Sequence, residues 1–350
     1  MIIKFPKVLV IATSRKTRGG ITSVVKAHET GEQWKKYHCM WIETHQDKSF
    51  VIKFIYFLQA FTKFVFIVHQ YKLVHIHTSE PPSALRKIPF LFIAKLFKKK
   101  VIVHFHAFSP DTTINSRFRF LYQYLFEKAD MVIVLSEYWK TELNQTFCLS
   151  NKIEVLYNPC SKPDYSKKYN QQKNILYAGT ISARKGYSDL IKAFSSIAIN
   201  YPEWNIIFAG NGEVEQGKQL AEDLKIDNQI IFLGWVNGEE KSKAFQQASI
   251  FCLPSYAEGF PMAVLDAWAY GLPVVTTSVG GLSDVLRNKK NALVFEPGNI
   301  HQLACSMQLL IEDEQLRNQV SDASKQLAET TFSPKIVCKQ LDGLYSRLIV

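Results

Sequence analysis

The residue types best able to do chemistry lie together in PSYAEGFPMAVLDAWAYGLPVVTTSVGGLSDVL, residues 254–286. Glu258 lies in a loop just before a predicted helix, and Asp266 follows eight residues later. Eight residues are a little over two helical turns, so the two acids face roughly the same direction. Such carboxylates can accept hydrogen bonds from sugar and ribose hydroxyls. Gly280 and Gly281 follow the next strand and allow another close backbone approach.

A pair of cations lies in YAGTISARKGYSDLIKAF, residues 177–194. Gly179 ends a predicted strand, and Arg184 and Lys185 come just before a glycine and a predicted helix. Positive charge beside a helix start suits a diphosphate, whose charge must be stabilised as its bond to a sugar breaks. Taken alone, such a pair on a turn is usually only solvated.

Two other glycine-containing turns follow predicted strands. Gly19 and Gly20 lie in TRGGITSVVKAH, just before a helix, and Gly212 lies in AGNGE. Glycine lets a backbone approach a ligand closely, and a helix N-terminus offers unpaired N–H donors to an anion. An ordinary strand-to-helix turn has the same composition. No GxxxxGK[ST] segment occurs, which argues against a P-loop nucleotide hydrolase.

Two H-x-H pairs each end a predicted strand: His75 with His77, and His104 with His106. Period-two spacing puts each pair on one face of its strand. Four histidines raise the question of a zinc site, but no acid is spaced to complete an open catalytic centre, and strand-end histidines often satisfy a buried donor. We therefore predict no metal site, and expect His77 and His106 to lie nearest the functional edge.

The elements that must position these residues form two arrays of short apolar strands alternating with helices. The predicted strands are 7–13, 72–78, 100–106 and 130–136 in the first array, and 174–180, 205–210, 229–235, 249–254, 272–277 and 292–295 in the second. Near-continuous Val, Ile and Leu indicates parallel sheets buried on both faces. The sequence predicts two α/β, Rossmann-like doubly wound domains. A polar stretch with two prolines, residues 158–173, is typical of an interdomain linker.

Ligands bind at the carboxyl ends of strands in such sheets, and the residues singled out above follow strands. A last predicted helix begins at Pro334 and carries apolar side chains at helical spacing.

Composition sets further bounds on the 350-residue chain, which carries a net charge of +11. Residues 1–170 hold 26 basic and 12 acidic residues, a formal +14, whereas the remainder holds 16 and 19. This asymmetry suggests an anionic partner of the first half. Nucleic acid is one candidate, but no helix-turn-helix, RNP-like strand or zinc finger supports it. The six cysteines have no C-x-x-C pair, so we expect buried thiols in a reducing compartment and a cytoplasmic location.

Taken in order, these segments resemble the retaining glycosyltransferases of family 4, which have the GT-B fold. The resemblance rests on E-G-F-P-x-x-x-L-D-A-x-A-x-G-x-P-V-V followed by G-G, on A-G-x-x-x-x-x-K-G, on the strand-end His106, on the N-terminal Gly-Gly and on Asn158-Pro159. It implies two facing Rossmann-like domains: residues 1–160 bind the acceptor and 174–333 bind the nucleotide sugar. Residues 334–350 would form a helix that crosses back onto the first domain.

The resemblance also assigns roles to individual residues. Glu258 would contact the donor sugar, and Asp266 the ribose. Arg184 and Lys185 would neutralise the diphosphate, and His106 would contact the transferred sugar near its reacting carbon. Backbone amides at further donor-binding positions would help to bind the nucleotide sugar, and no metal or other cofactor would be needed. The further donor-binding positions are Gly19, Gly20, Gly179, Gly212, Gly259 and Phe260.

Two positions depart from the family pattern. Thr180 stands where most members have an arginine after the glycine, which removes one phosphate-binding cation. Asp266 stands where they have glutamate, which shortens its reach to the ribose by one methylene.

The implied reaction moves a sugar, with retention, from a nucleotide-diphosphate donor, UDP before GDP, to a saccharide or lipid-linked saccharide acceptor in surface polysaccharide or glycolipid synthesis. The basic first domain and its aromatic-rich segment, residues 50–66, suit peripheral docking at the anionic inner face of a membrane. A core helix is the alternative for that segment, and a spanning helix is not favoured because Lys53 and Lys63 interrupt the apolar stretch. For the chemistry, the alternative is a nucleotide-sugar epimerase of the same architecture.

Overall fold

We describe a computed structural model of the chain, over residues 6–47, 49–149 and 151–349. Residues up to Pro159 and the segment from Pro334 onward form one compact unit, unit 1, and Cys160–Ser333 form a second, unit 2. The strands are β1 Val8–Ala12, β2 Met40–Glu43, β3 Leu73–Thr78, β4 Lys100–Phe105, β5 Met131–Val134, β6 Ile153–Val155, β7 Asn174–Ala178, β8 Asn205–Ala209, β9 Ile230–Gly234, β10 Ile250–Leu253, β11 Val274–Thr277 and β12 Leu293–Phe295. The helices are α1 Gly20–Glu29, α2 Glu32–Lys36, α3 Phe50–Ile67, α4 Pro81–Leu96, α5 Arg119–Lys128, α6 Glu137–Phe147, α7 Tyr187–Ser195, α8 Val214–Asp223, α9 Gly238–Gln247, α10 Met262–Ala269, α11 Ile300–Glu312, α12 Glu314–Thr330 and α13 Pro334–Ile349.

Unit 1 is built on a six-stranded parallel sheet in the order β2-β1-β3-β4-β5-β6. Its central strands are buried throughout, as expected for a parallel sheet with helices on both faces. Side chains alternate between two cores along each strand. Leu9 and Val74 face one core, which α3, α4, α5 and α6 cover, whereas Val8 and Leu73 face the core covered by α1, α2 and α13.

The C-terminal helix α13 belongs to unit 1, as the sequence predicts. Val337, Leu341 and Leu344 are buried in the same core as Val8. Lys36 of α2 and Asp342 form an ion pair at 2.7 Å. Apolar side chains at helical spacing therefore attach this helix to the first sheet, although the whole of unit 2 separates them in sequence.

Unit 2 contains a six-stranded parallel sheet in the order β12-β11-β10-β7-β8-β9. Read from the opposite edge, the order is β9-β8-β7-β10-β11-β12. When these six strands are numbered from one to six along the chain, this order is 3-2-1-4-5-6, which is the strand order of Rossmann folds. The order reverses between β7 and β10, because β7 leads to β8 on one side and β10 to β11 on the other. This reversal is the position at which such sheets bind ligands.

Several local features differ from the sequence-based predictions. Two short strands at the outer edges of the first sheet, β2 and β6, were not predicted because four and three residues carry too little periodicity. Residues 160–173, predicted as a linker, belong to unit 2 and bond to α9. There the Gln246 side-chain amide donates to the carbonyls of Asp164 and Lys167, each at 3.0 Å.

The cysteines are free thiols, but two of them, Cys148 and Cys305, are exposed. The prediction that all six are buried is wrong for these two, and Cys39 is half-buried. Cys148 lies at the C-terminal end of α6, and Cys305 lies on an exposed face of α11.

Helix α3 exposes many of its large apolar side chains. Ala60 and Phe64 are buried, whereas the large side chains Val51, Ile52, Phe54, Ile55, Leu58 and Phe66 are exposed. Among the residues that the structure describes, Val51–Gln70 is the one helical stretch long and apolar enough to cross a membrane, and 17% of its most apolar window is buried. One face of the helix packs on the core, where Phe57, Phe61 and Phe64 contact Phe90, so the core-helix alternative holds for that face but not for the exposed one.

Candidate active site

The candidate site of unit 2 is formed by two loops at the reversal of its sheet. The β7–α7 loop ends in a 3-10 turn, Ala183–Lys185, followed by Gly186 at φ 69°. The β10–α10 loop spans residues 254–261. Because β7 and β10 are hydrogen-bonded neighbours at the reversal of strand order, both loops begin at the edge where sheets of this kind bind their ligands.

Glu258 is the centre of this site. Its carboxylate oxygen Oε1 accepts hydrogen bonds from Lys185 Nζ at 2.8 Å and Ser255 Oγ at 3.0 Å. Arg184 NH1 lies 3.6 Å from the same oxygen. The residue is only 7% exposed, so these contacts occur largely away from solvent. The cations and the acid that the sequence singled out separately are thus brought together.

The charge state of Glu258 follows from these contacts. Burial by itself would raise the pKa of Glu258, since it disfavours the charged form. The positive charges of Lys185 and Arg184, with the hydrogen bonds from Lys185 and Ser255, outweigh burial and hold that pKa below its ordinary value. Glu258 is therefore a carboxylate at neutral pH, able to accept hydrogen bonds.

The two loops are also bonded to each other. The Arg184 guanidinium donates to the carbonyl of Ala257, and the Tyr256 amide donates to the Arg184 carbonyl at 2.8 Å. Gly280 has φ +55°, and a Cβ at this position would overlap the carbonyl oxygen of Glu258. Only glycine fits so close to the Glu258 backbone, which explains the first glycine of the Gly-Gly sequence after β11.

The predicted donor-binding glycines of unit 2 lie around the same loops. Gly179 has φ +140°, and a Cβ there would come within 3.3 Å of Lys185 Nζ. Gly212 bridges to Ile181 of the β7–α7 loop. Gly259 is buried, and its carbonyl accepts from the Gly281 amide at 2.8 Å. These contacts support the loops that hold Lys185 and Glu258.

Phe260 is placed differently from the other predicted donor-binding residues. Its side chain is buried, and its ring packs against Phe332 with centroids 5.4 Å apart. A donor contact by Phe260 would therefore have to come from its backbone, while the ring anchors the loop in the core.

Asp266 pairs with a residue that the sequence analysis missed. Its Oδ2 lies 2.6 Å from Nζ of Lys241, on α9. Its other oxygen, Oδ1, is buried and has no hydrogen-bond partner. A buried carboxylate oxygen without a donor is costly, and a ligand hydroxyl could satisfy it.

The predicted residues of unit 1 lie at the carboxyl edge of its sheet. His106 directly follows β4, and its Nε2 lies 2.9 Å from Nδ1 of His77. Burial lowers the pKa of His106 to about 3, so the imidazole is neutral at physiological pH. Gly19, at φ +148°, caps α1, which begins at Gly20, and no atom lies within 4 Å of where a Gly19 Cβ would be.

The site residues that the sequence did not single out are Ser255 and Lys241. Ser255 stands three residues before Glu258 in the same loop, so a hydroxyl close to a buried acid was a usable signal. Lys241 precedes Asp266 by 25 residues and lies on another helix. No local pattern connects those two positions.

Comparison with protein families divides the chain much as the structure does. The model described as Glycosyltransferase Family 4 matches residues 28–161, and the model described as Glycosyl transferases group 1 matches residues 161–327. A protein of Haemophilus influenzae described as an uncharacterized glycosyltransferase is 31% identical over 258 residues, which are 73% of this chain and 72% of that protein. The chain belongs to glycosyltransferase family 4.

Other relatives and solved structures agree with this membership. The capsular polysaccharide biosynthesis glycosyltransferase CapM of Staphylococcus aureus is 23% identical, over 83% of this chain and 81% of its own. The fold matches that of Anabaena Alr3699/HepE in complex with UDP-glucose, with a TM-score of 0.82, 18% identity and coverage of 98% and 100%. Sucrose-phosphate synthase of Thermosynechococcus elongatus matches with a TM-score of 0.78 and 16% identity, covering 98% and 99%.

These findings confirm the predicted fold class, GT-B, and the predicted enzyme class, glycosyltransferase. Membership in this family also favours sugar transfer over the epimerase alternative. The roles of the individual site residues stay predictions.

Proposed function

We propose that this glycosyltransferase uses a UDP-sugar and transfers its sugar, with retention of anomeric configuration, to a saccharide or lipid-linked saccharide. The observation that carries the proposal is the convergence of Lys185 and Arg184 on the buried Glu258 at the sheet reversal of unit 2. Two cations beside one fixed carboxylate suit a ligand that joins a diphosphate to a polyhydroxylated ring.

The donor would exchange one set of contacts for another. Lys185 and Arg184 would turn from Glu258 toward the diphosphate oxygens, helped by the N-termini of α7 and α10. Glu258, released from part of its ion pairing, would accept hydrogen bonds from the sugar hydroxyls. Asp266, with its unpartnered Oδ1, would take a ribose hydroxyl.

The transfer itself would be a front-side displacement. The bond between the anomeric carbon and the diphosphate oxygen breaks, and a bond from the acceptor oxygen forms on the same face of the sugar. The acceptor proton passes to the departing diphosphate oxygen, so no protein base is required. Stabilising the charge that develops on that leaving group is then the main catalytic task, and Lys185 and Arg184 would do it without a metal ion or other cofactor.

The choice of UDP and of the acceptor class draws on the relatives. The HepE structure holds UDP-glucose, and CapM is described as acting in capsular polysaccharide biosynthesis. For this chain we propose a UDP-sugar rather than a GDP-sugar, and an acceptor that belongs to surface polysaccharide or glycolipid synthesis.

A lipid-linked acceptor would require contact with a membrane, and unit 1 has a suitable surface. The exposed apolar side chains of α3 include Phe54 and Phe66, at 53% and 71% exposure. Lys63 on the same helix is exposed, and the charge of residues 1–170 is strongly positive. Apolar side chains flanked by cations bind at the interface of an anionic bilayer. We propose peripheral docking of α3 at the cytoplasmic face of a membrane.

The donor is tested first by thermal shift with UDP, GDP, ADP and their sugars. We expect UDP and one UDP-sugar to raise the Tm, and the same sugar to be transferred to an acceptor with its anomeric configuration kept, read from proton NMR couplings of the product. A rise with GDP alone would overturn the choice of base, and an inverted product would overturn the mechanism.

The membrane proposal is tested by flotation with liposomes that contain phosphatidylglycerol. We expect the protein to float at low salt and the variant Phe54→Ser/Phe66→Ser to stay in the soluble fraction. Ile199→Ser is the matched control, because Ile199 is equally apolar and 86% exposed but belongs to unit 2. The absence of flotation at low salt, or an equal loss in the control, would exclude docking through α3.

A further inference from the structure

A group of histidines lies inside unit 1, apart from the residues that the proposed reaction uses on unit 2. His75 and His77 on β3 and His104 on β4 point to the face of the sheet covered by α1 and α13. His77 and His104 are register partners on adjacent strands. All three are at most 1% exposed, and His28 of α1 stacks beside them, with its ring 6.3 Å from that of His104.

Ring nitrogens in this group have no hydrogen-bond partner. The unpartnered buried atoms are Nε2 of His28, His75 and His77 and both nitrogens of His104. A buried polar atom without a partner costs about 1–3 kcal/mol. Satisfying buried donors, the interpretation that the sequence favoured for strand-end histidines, accounts for one nitrogen each of His75 and His77 but not for these unpartnered atoms.

The partnered nitrogens follow a pattern typical of metal sites. His75 Nδ1 lies 2.7 Å from the Tyr345 hydroxyl of α13, and His77 Nδ1 lies 2.9 Å from His106 Nε2. A histidine that binds a metal commonly donates its other ring N–H to an acceptor, which fixes the ring orientation. Here those contacts fix two rings and leave both Nε2 atoms unpartnered.

We propose that His75, His77 and His104 bind one divalent ion of the zinc type. One ring nitrogen from each of the three lies within 4.8 Å of the others. Tetrahedral ligation at about 2.0–2.1 Å needs nitrogens about 3.3 Å apart, so the three rings would move closer together on binding the ion. Imidazole is a ligand that suits Zn²⁺, Cu²⁺ and Ni²⁺.

The surroundings define what kind of ion site this is. The three rings are at most 1% exposed, and burial disfavours a charged imidazolium, so they are suited to ligate as neutral imidazoles. Three neutral ligands leave the ion its positive charge, which a bound hydroxide in a fourth position would partly offset. Through Tyr345 the ion would connect the sheet to α13 and stabilise unit 1. The ligands lie apart from Lys185 and Arg184, which would stabilise the leaving group, but His77 contacts His106, the predicted sugar contact of unit 1.

The experiment uses the full chain without a polyhistidine tag, in the background His301→Ala/Cys305→Ser. That background removes an exposed His-Cys pair on α11, whose Sγ lies 3.8 Å from the imidazole and which could bind zinc at the surface. After chelator treatment and gel filtration, Zn²⁺ is added back, and bound metal is measured by elemental analysis together with the Tm. Cobalt titration, followed by visible absorption, reports the ligand geometry.

We expect one equivalent of Zn²⁺, a higher Tm with zinc than after chelation, and Co²⁺ bands typical of tetrahedral nitrogen ligation. His104→Phe should lose the bound metal, whereas the control His69→Ala, at an exposed histidine of the same unit, should keep it. If His104→Phe does not fold, the wild-type zinc content and cobalt spectrum decide alone. Less than a tenth of an equivalent of zinc, octahedral cobalt bands, or full metal binding by folded His104→Phe would overturn the proposal.

Discussion

Replacing Lys185 by methionine tests the Lys185–Glu258 pair most directly. The substitution removes an ammonium 2.8 Å from Oε1 and keeps an unbranched apolar chain. The Glu258 carboxylate then stays buried, and Arg184 NH1, 3.6 Å from its Oε1, is the cation that remains beside it. Breaking a buried pair by removing one partner costs about 3–5 kcal/mol, and the second cation places the expected loss near the lower end, about 3 kcal/mol. For a folding unit of this size the Tm falls by about 6–12 °C.

A second substitution separates folding from catalysis. Glu258→Gln removes the negative charge and keeps the side-chain shape. In the double variant Lys185→Met/Glu258→Gln both charges of the pair are absent, so neither is left buried without its partner. We expect its Tm to recover most of the loss, as a positive coupling in the double-mutant cycle. The rate of sugar transfer should stay about 10²–10³-fold below wild type in all three variants, because a preorganised charge contact is missing from each.

The matched control lies in the same unit. Lys167 and Glu239 are also a Lys–Glu pair, at 2.7 Å, but both side chains are more than half exposed. Solvent screening makes such pairs worth little, so Lys167→Met should change neither the Tm nor the rate. The measurements are calorimetric Tm, UDP affinity and product formation from the UDP-sugar found in the thermal-shift panel.

Two results would refute this reasoning. If the losses of Tm in the single variants simply add in the double variant, the two side chains do not interact in the folded protein. If Lys185→Met and Glu258→Gln both transfer sugar at near wild-type rates, the assignment of this site is wrong.

Three further predictions concern the same loops. The pKa of Glu258 is lower in the folded protein than its ordinary 4.5. The ionised carboxylate therefore stabilises the fold above about pH 4.5, and this stabilisation is lost as the pH falls through the folded pKa. The decrease of Tm on acidification should be smaller in Glu258→Gln, as measured by thermal unfolding at a series of pH values. Gly280→Ala should lower both the Tm and the transfer rate, because a Cβ at this position meets the Glu258 carbonyl. The control Gly343→Ala, on α13 with open space around it, should leave the Tm unchanged or raise it slightly. Equal effects of the two substitutions would contradict this account. Thr180→Arg adds a cation beside the β7–α7 loop and should tighten UDP binding about tenfold by calorimetry, as expected for a hydrogen bond to a charged group, and unchanged affinity would place the diphosphate elsewhere.

The alternation of apolar runs and helices was sufficient to predict both parallel sheets, because buried strands and amphipathic helices have different local periods. The rule that ligands bind after the carboxyl ends of strands then selected Lys185 and Glu258 from loops that are 73 residues apart in the chain. The short edge strands β2 and β6 and the packing of residues 160–173 against α9 were not predictable in the same way. Their positions depend on hydrogen bonds to neighbours rather than on a pattern of their own.

The sequence by itself determined which residue types follow each strand, and therefore the chemistry available to this glycosyltransferase. The tertiary structure decided which of them meet: Lys241 with Asp266, Ser255 with Glu258, and His77 with His104 across two strands. It also decided that one face of α3 leaves large apolar side chains exposed. The physical reason is that local periodicity fixes how a segment folds, whereas contacts between distant segments depend on strand order and register, which only the packed chain defines.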